Sequence, residues 1–198
     1  MGKLNMVSVL NLETRRIDAD RVEARITTGA IPLAGVKNAT GETYAKEFAF
    51  ALKAIGTYRK LDIIIDATGG HTHSAVGMRS ALESIDAEKR VLIYNNCSSA
   101  AILCAFWPGV PVTMVMGSRI KVHRAQRTTY NTTGLMRIIS SVGGGMLDTL
   151  MIATLKEKSK RRKRICKQWL DEAKTFNAVE ALEVGLVDEI IRRRGDWR

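Results

Sequence analysis

Proline, cysteine, histidine and aromatic residues are all scarce in this chain of 198 residues. With only three prolines and no low-complexity stretch, nothing marks a linker, so residues 1–198 are expected to form a single domain. Three cysteines, Cys97, Cys104 and Cys166, form no CxxC pair and cannot all pair with one another. That excludes a disulfide scaffold and points to a reducing cytoplasm. No apolar run approaches membrane-spanning length, and the patch from Met6 to Leu10 falls far short of a signal sequence, so no membrane partner is expected.

What the chain does have is positive charge, +11 in all, and it is uneven. Between Lys156 and Lys167 eight of twelve residues are Lys or Arg, and Arg192 to Arg194 adds a second cluster. Such blocks can bind nucleic acid or acidic protein. This run lacks interleaved aromatics for base stacking, and its cations cover all sides of any helix they form. A solvated helix face is the better reading, and nucleic acid is not an expected partner.

Strand and helix patterns alternate through the middle of the chain. Val7–Leu10 and Val22–Thr28 read as strands around a charged turn at Glu13–Asp20. Gly29–Gly41 reads as loop, and Thr43–Ile55 as a helix capped by Thr43 and ended by Gly56. Leu61–Ala67 reads as a buried parallel strand, since Ile63-Ile-Ile65 is β-branched and fully apolar. Ser74–Ile85 reads as a helix, Arg90–Tyr94 as a strand ending at Asn95 and Asn96, and Ser99–Phe106 as a helix. Val112–Met116 and Arg119–Val122 read as short strands. Gly134–Lys158, with a bend at Gly143–Gly145, Arg161–Lys174 and Ala178–Gly185 read as helices. An α/β fold with a largely parallel sheet flanked by helices follows. In such sheets ligands sit at the carboxyl ends of the strands, where Thr68-Gly-Gly70 and Asn95–Ser99 both fall.

Those two segments, with Ile120-Lys-Val-His-Arg124, hold the candidate chemistry. Acyl transfer by serine needs a hydroxyl, a base, a group that orients the base, and donors for the oxyanion. Ser99 is the candidate nucleophile, because it stands where a buried strand gives way to a helix of small residues whose first N–H groups are free. Ser98 and the thiol of Cys97 are its rivals, and close packing of strand on helix is the structural alternative. Only His71, His73 and His123 are available as base. His123 ends an alternating strand segment, whereas His71 and His73 sit at a helix entrance that disfavours an imidazolium. His71-Thr-His73 has no further ligand at suitable spacing, so neither a metal nor any cofactor is expected. Gly69-Gly70 permits unusual backbone angles and close approach of a substrate, and the N–H groups of Gly70 and Ala100 are candidate oxyanion donors.

Taken in order, these segments resemble the proteolytic subunit of the Clp protease, in the ClpP/crotonase superfamily. Ala67-Thr-Gly-Gly70 is similar to the family's Ser-Pro-Gly-Gly, and Cys97–Ala101 to its Ala-Ala-Ser segment. Lys121-Val-His123 is similar to its Met-Ile-His. Asn177-Ala-Val-Glu-Ala-Leu-Glu-Val-Gly-Leu-Val-Asp188 resembles its Ser-Ala-x-Glu-Ala-x-x-x-Gly-Leu-Val-Asp ending most specifically. The resemblance covers residues 43–191. It implies a ClpP/crotonase-like fold, with Ser99 as nucleophile and His123 as general base. The triad's acid should fall shortly before Asn177, where an ungapped match places Ala173. Asp171 is the nearest aspartate and the candidate acid, with Glu172 as its neighbour. Thr68 departs from the family's proline, and Asn95-Asn96 from its more usual Gly-Gln.

What the resemblance implies is a peptidase core needing no ATP of its own, a serine endopeptidase assembled into a homo-oligomeric ring. It would act on unfolded polypeptides or on chains delivered by an ATP-dependent unfoldase. The alternative is a catalytically silent ring subunit with an assembly or regulatory role. A crotonase-like acyl-CoA enzyme, which needs no Ser-His pair, and a basic nucleic-acid-binding module are more distant rivals.

Overall fold

The computed structural model describes residues 6–32, 49–125 and 134–197. Strands β1 (Met6–Arg16) and β2 (Arg21–Pro32) form an antiparallel hairpin. The charged stretch expected as a turn is mostly strand: Glu13 faces Arg25 and Arg15 faces Glu23 across the pair. Opposite charges on facing strands stabilise the pairing on its wet side, so only Ile17–Asp20 turns. β2 likewise continues through Gly29–Pro32, read from sequence as loop, because β1 supplies a partner residue at each position. The expected cap at Thr43 lies outside the described residues. Helix α1 is seen over residues 49–54 and closes at Gly56, whose φ of 85° suits glycine. Arg16 ties the hairpin to this end by donating to the carbonyls of Ile55, at 2.7 Å, and Thr57, at 3.1 Å.

β3 (Lys60–Ala67) lies between β2 and β4 (Glu88–Ser98), parallel to both. Its run from Leu61 to Ile65 is completely buried, which explains the absence of apolar–polar alternation. Helix α2 (Thr72–Glu83) crosses from β3 to β4, burying Ala75, Met78 and Leu82. α3 (Ala101–Ala105) follows β4 and is wholly buried. β5 (Val112–Val115) pairs parallel with β4 and with β8 (Glu189–Ile191). β6 (Arg119–Lys121) also pairs parallel with β4, and β7 (Thr175–Phe176) pairs antiparallel with β6. The main order is therefore β1-β2-β3-β4-β5-β8, with β6 and β7 branching from β4.

Helix α4 (Gly134–Ser159) runs unbroken through Gly143–Gly145, where a bend was expected. Glycine lowers helix propensity by only about 1 kcal/mol per residue, and Met151, Ile152 and Leu155 anchor the helix by burial. α5 (Lys163–Asp171) buries Cys166, Trp169 and Leu170 on one face. Trp169 packs edge-on against Phe176, with centroids 5.0 Å apart. α6 (Ala178–Glu183) opens with a reciprocal cap between Asn177 and Glu180, each backbone N–H donating to the other's side chain at 2.9 Å.

Alternate residues of the central strands face opposite layers. Ile63, Ile65, Val91 and Ile93 join the helix-covered core, while Ile64 and Leu92 join Val115, Ile191, Tyr94 and Trp197 on the other face. Beside that second cluster Arg90 lies over Trp197 and donates to both oxygens of buried Asp62, at 2.7 and 3.0 Å. Among the described residues no helix is long and apolar enough to cross a membrane.

Candidate active site

The site begins with an irregularity in β4. Ile65 faces Ile93, but Ala67 faces Cys97, so β4 uses Tyr94, Asn95 and Asn96 where β3 uses Asp66 alone. Asn95 absorbs the bulge at φ 67°, a conformation asparagine tolerates better than most residues. Its amide donates to Asp66 at 2.9 Å, and its N–H donates to the hydroxyl of Ser118 at 2.9 Å. Within the bulge β4 exchanges partners: its last pair with β5 is Ile93–Met114, and its first with β6 is Asn96–Arg119. The two asparagines therefore do not end the strand, as the sequence suggested. They redirect it, and it continues to Ser98.

Ser99 stands at the exit. Its φ is 56°, its N–H donates to the Lys121 carbonyl at 2.9 Å, and its own carbonyl accepts from Ile102 N at 3.1 Å. One residue thus joins the end of β4, the neighbouring β6 and the first turn of α3. A non-glycine residue in this conformation carries strain that surrounding structure must hold. Ala100 begins the turn in helical geometry.

Gly69 presses on this junction from β3. At φ 102° it is so close that a Cβ added there would lie 2.6 Å from Ser99 Cβ, 2.8 Å from Ser98 O and 3.2 Å from Ala100 N. Only glycine fits. Thr28 of β2 fastens the same loop, accepting from Thr68 N at 2.8 Å and donating to Gly69 O at 3.0 Å. The structure thereby brings Gly69 against Ser98–Ala100.

Of the rival nucleophiles, Cys97 points into the core beside Ile120 and has no exposed surface. Burial, with Cys104 nearby, pushes its thiol far above the ordinary cysteine range. Ser98 is half-buried and lies beside Lys121.

His123 follows β6 and is half-buried. Ser98 is register partner to Lys121, and Ser99 N–H bonds to Lys121 O, so Ser99 and His123 leave adjacent parallel strands at the same end. On the other side of β6, Ile120 faces Phe176, Lys121 faces Thr175, and Val122 N donates to Lys174 O at 3.0 Å. Carried one residue further, that register sets Ala173 opposite His123. Ala173 has φ 50° and no side chain beyond its methyl group.

The carboxylates near the base are otherwise engaged. Arg124 Nε donates to Asp171 at 2.6 Å, Lys167 Nζ donates to the other Asp171 oxygen at 3.0 Å, and Arg124 Nη1 donates to Asp148 at 2.7 Å. Asp148 also accepts from Ala125 N at 2.9 Å. The Lys167 hydrogen bond above all, and then that of Arg124, hold the Asp171 carboxyl below the usual range against an opposing effect of desolvation. Glu172 accepts from Gln168 at 2.7 Å. His123 Nδ1 lies 2.7 Å from the Arg124 carbonyl. A carbonyl only accepts, so Nδ1 carries the hydrogen, which in a neutral ring leaves the lone pair on Nε2.

His71 stands at the entrance of α2, with Nδ1 3.4 Å from Ser74 Oγ. The side chain of His73 is outside the described residues. Among the described residues no cluster of three metal-ligating side chains occurs. Thr28, Arg124 and Asp148 escaped the sequence reading. Thr28 lies some forty residues from the loop it clamps, and nothing local marks it. Arg124 could have been flagged by its place beside His123.

A family model described as Clp protease matches residues 33–194. Among solved structures, a mutant of ClpP1 from Listeria monocytogenes superposes with a TM-score of 0.63. It is 17% identical, over 80% of this chain and 87% of that one, a likeness that concerns the fold. A search of curated proteins found no match. The family match spans well over half of the chain, and the eight strands among the described residues share the ClpP1 fold: this chain belongs to the Clp protease family.

Proposed function

We propose that this chain is a ClpP-like serine endopeptidase subunit that cleaves unfolded or delivered polypeptides, needing no ATP for the cleavage itself. The observation that carries the reading is Ser99: a hydroxyl residue held at φ 56°, bonded to the strand leading to His123 and backed by a glycine with no room for a side chain.

In this reading Ser99 Oγ attacks the scissile carbonyl while His123 Nε2 takes its proton and later passes it to the leaving amine. The Nδ1–H bond to the Arg124 carbonyl fixes the tautomer this requires. The N–H groups of Gly70 and Ala100 serve the oxyanion, each worth about 3 kcal/mol of barrier when aimed at it. Asp171 completes the triad once it exchanges Arg124 for His123. Water then releases the acyl group. A homo-oligomeric ring and an ATP-dependent unfoldase are the partners the family implies. Three buried, unpaired thiols suit a cytoplasmic setting.

The test is labelling by a fluorophosphonate probe, with hydrolysis of an unstructured peptide measured alongside. Labelling that maps to Ser99 and disappears in Ser99→Ala supports the peptidase. A well-folded protein that neither labels nor cleaves would overturn it. One second reading has an observation of its own: Ala173 occupies the position opposite His123, and Arg124 holds Asp171. That arrangement favours a catalytically silent ring subunit, which the absence of labelling in an intact oligomer would support.

A further inference from the structure

We propose that Arg119 and Lys121, on the outward face of β6, recognise acidic side chains in the polypeptide and lead it toward His123. The role assigned to that destination rests on the peptidase reading; the recognition itself does not. β6 alternates cleanly: Arg119 and Lys121 are exposed, while Ile120 and Val122 are buried. Arg119, Lys121 and His123 therefore share one face, each about 6.6 Å from the next at ordinary strand rise.

The register gives these cations no counter-charge. Asn96 lies beside Arg119, and Ser98 and Thr175 lie on either side of Lys121. Neither cation makes an ion pair or side-chain hydrogen bond with a described residue. Other basic residues of the region differ: Arg124 has Asp148 and Asp171, Lys158 has Asp188, Lys167 has Asp171 and Lys174 has Glu180. Exposed lysines and arginines on strands often guard a free edge against pairing with another chain. That explanation fails here, because β6 is paired on both edges, with β4 and β7. What remains is two charges uncompensated among the described residues and aligned with the candidate base, where an acidic side chain gains from both. Among the described residues, the register partners Asn96, Ser98 and Thr175 offer no aromatic ring for base stacking, so the face fits an acidic peptide better than single-stranded nucleic acid.

Binding can be read without turnover. In the Ser99→Ala protein, fluorescence anisotropy would compare two labelled unstructured peptides of equal length, one rich in Glu and one rich in Lys. The Glu peptide should bind about tenfold more tightly at low salt, the scale of one or two partly exposed ion pairs, and added salt should erode the difference. Arg119→Glu with Lys121→Glu should reverse the order, whereas Lys163→Gln with Arg164→Gln, in the other basic cluster, should leave it unchanged. Equal binding of both peptides would overturn the proposal. So would a preference indifferent to the β6 pair, one lost only with Lys163 and Arg164, or an oligonucleotide that outcompetes the Glu peptide for Arg119 and Lys121. Failure of the peptidase reading looks different: the wild-type protein would resist the fluorophosphonate probe while the charge preference persisted. If both hold, Glu in a substrate lowers KM and leaves kcat nearly constant, the mark of binding made equally in ground and transition states.

Discussion

Arg124 Nε donates to Asp171 across 2.6 Å, while the Arg124 carbonyl lies 2.7 Å from His123 Nδ1. One residue thus occupies both the candidate acid and the nitrogen that the acid would orient. A neutral carbonyl fixes the tautomer but stabilises the developing imidazolium less than a carboxylate, whose loss from a triad costs roughly 10⁴ in kcat. Arg124→Gln removes the guanidinium and keeps the carbonyl. It should raise kcat about tenfold or more, a part of that factor. Asp171→Asn should change the wild-type rate less than about threefold but abolish the gain in the Arg124→Gln background, an interaction that a double-mutant cycle reads directly. An equal loss on Asp171→Asn in both backgrounds would show that the latch does not matter.

The same latch should be insensitive to pH near neutrality. Lys167 and Arg124 lower the Asp171 carboxyl, so the folded pKa is the depressed one and the contacts fade only as pH falls through it. Between about pH 5 and 8 the carboxylate is charged throughout, since even its ordinary value is about 3.9. The Asp171 carboxyl carbon resonance, followed by NMR, should be flat across that window. A titration of that carboxyl between about pH 5 and 8 would mean that Lys167 and Arg124 do not hold it charged.

Gly69→Ala tests the packing behind Ser99. The added methyl group meets Ser99 Cβ at 2.6 Å and the Ser98 carbonyl at 2.8 Å, and φ of 102° is strained for alanine in any case. Strain and overpacking together should cost about 2–5 kcal/mol in urea unfolding. Probe labelling of the surviving folded protein should fall sharply, because the chain yields most easily by moving Ser99. Ordinary stability with full labelling would be inconsistent with the close contact.

These contacts divide what the sequence makes legible from what it does not. Ile63–Ile65 declares a buried strand by composition alone, and the small residues after Ser99 declare a tight junction. Asn95 and Asn96 look like a stop because asparagine usually leaves a strand; here a bulge needs a left-handed residue and pairing resumes with β6. Glu13 and Arg15 look like a turn because their counter-charges, Arg25 and Glu23, sit on the returning strand. The acid is least legible. Asp171 is near enough in sequence, but its direction is set by Arg124 and Lys167, contacts that no local pattern encodes.

Thiol chemistry separates Ser99 from its neighbour. Burial raises the Cys97 thiol strongly and pushes Cys104 up to about 12. Both side chains are fully buried, and a thiol reacts as its thiolate. The native protein at pH 8 should therefore resist iodoacetamide at both positions, by mass spectrometry, and react at both once unfolded. Peptide hydrolysis should survive that treatment undiminished. Rapid native alkylation of Cys97 with loss of cleavage would restore the thiol as a rival nucleophile.

Thr28 offers the sharpest distinction between holding the site and holding the fold. Its hydroxyl accepts from Thr68 N and donates to Gly69 O, the two bonds by which β2 grips the glycine loop. Thr28→Val keeps the shape and removes both, at a cost of about 1–2 kcal/mol in stability. The loop it releases carries Gly70, whose N–H must point at the oxyanion to be useful, and a small misplacement of such a group can cost about 100-fold. The expected result is kcat lowered about tenfold to 100-fold with KM little changed. Thr28→Ser keeps the hydroxyl and should restore most of the rate. If valine and serine behave alike, the hydroxyl is not what positions the loop, and the path from β2 to Ser99 through Gly69 carries no catalytic consequence.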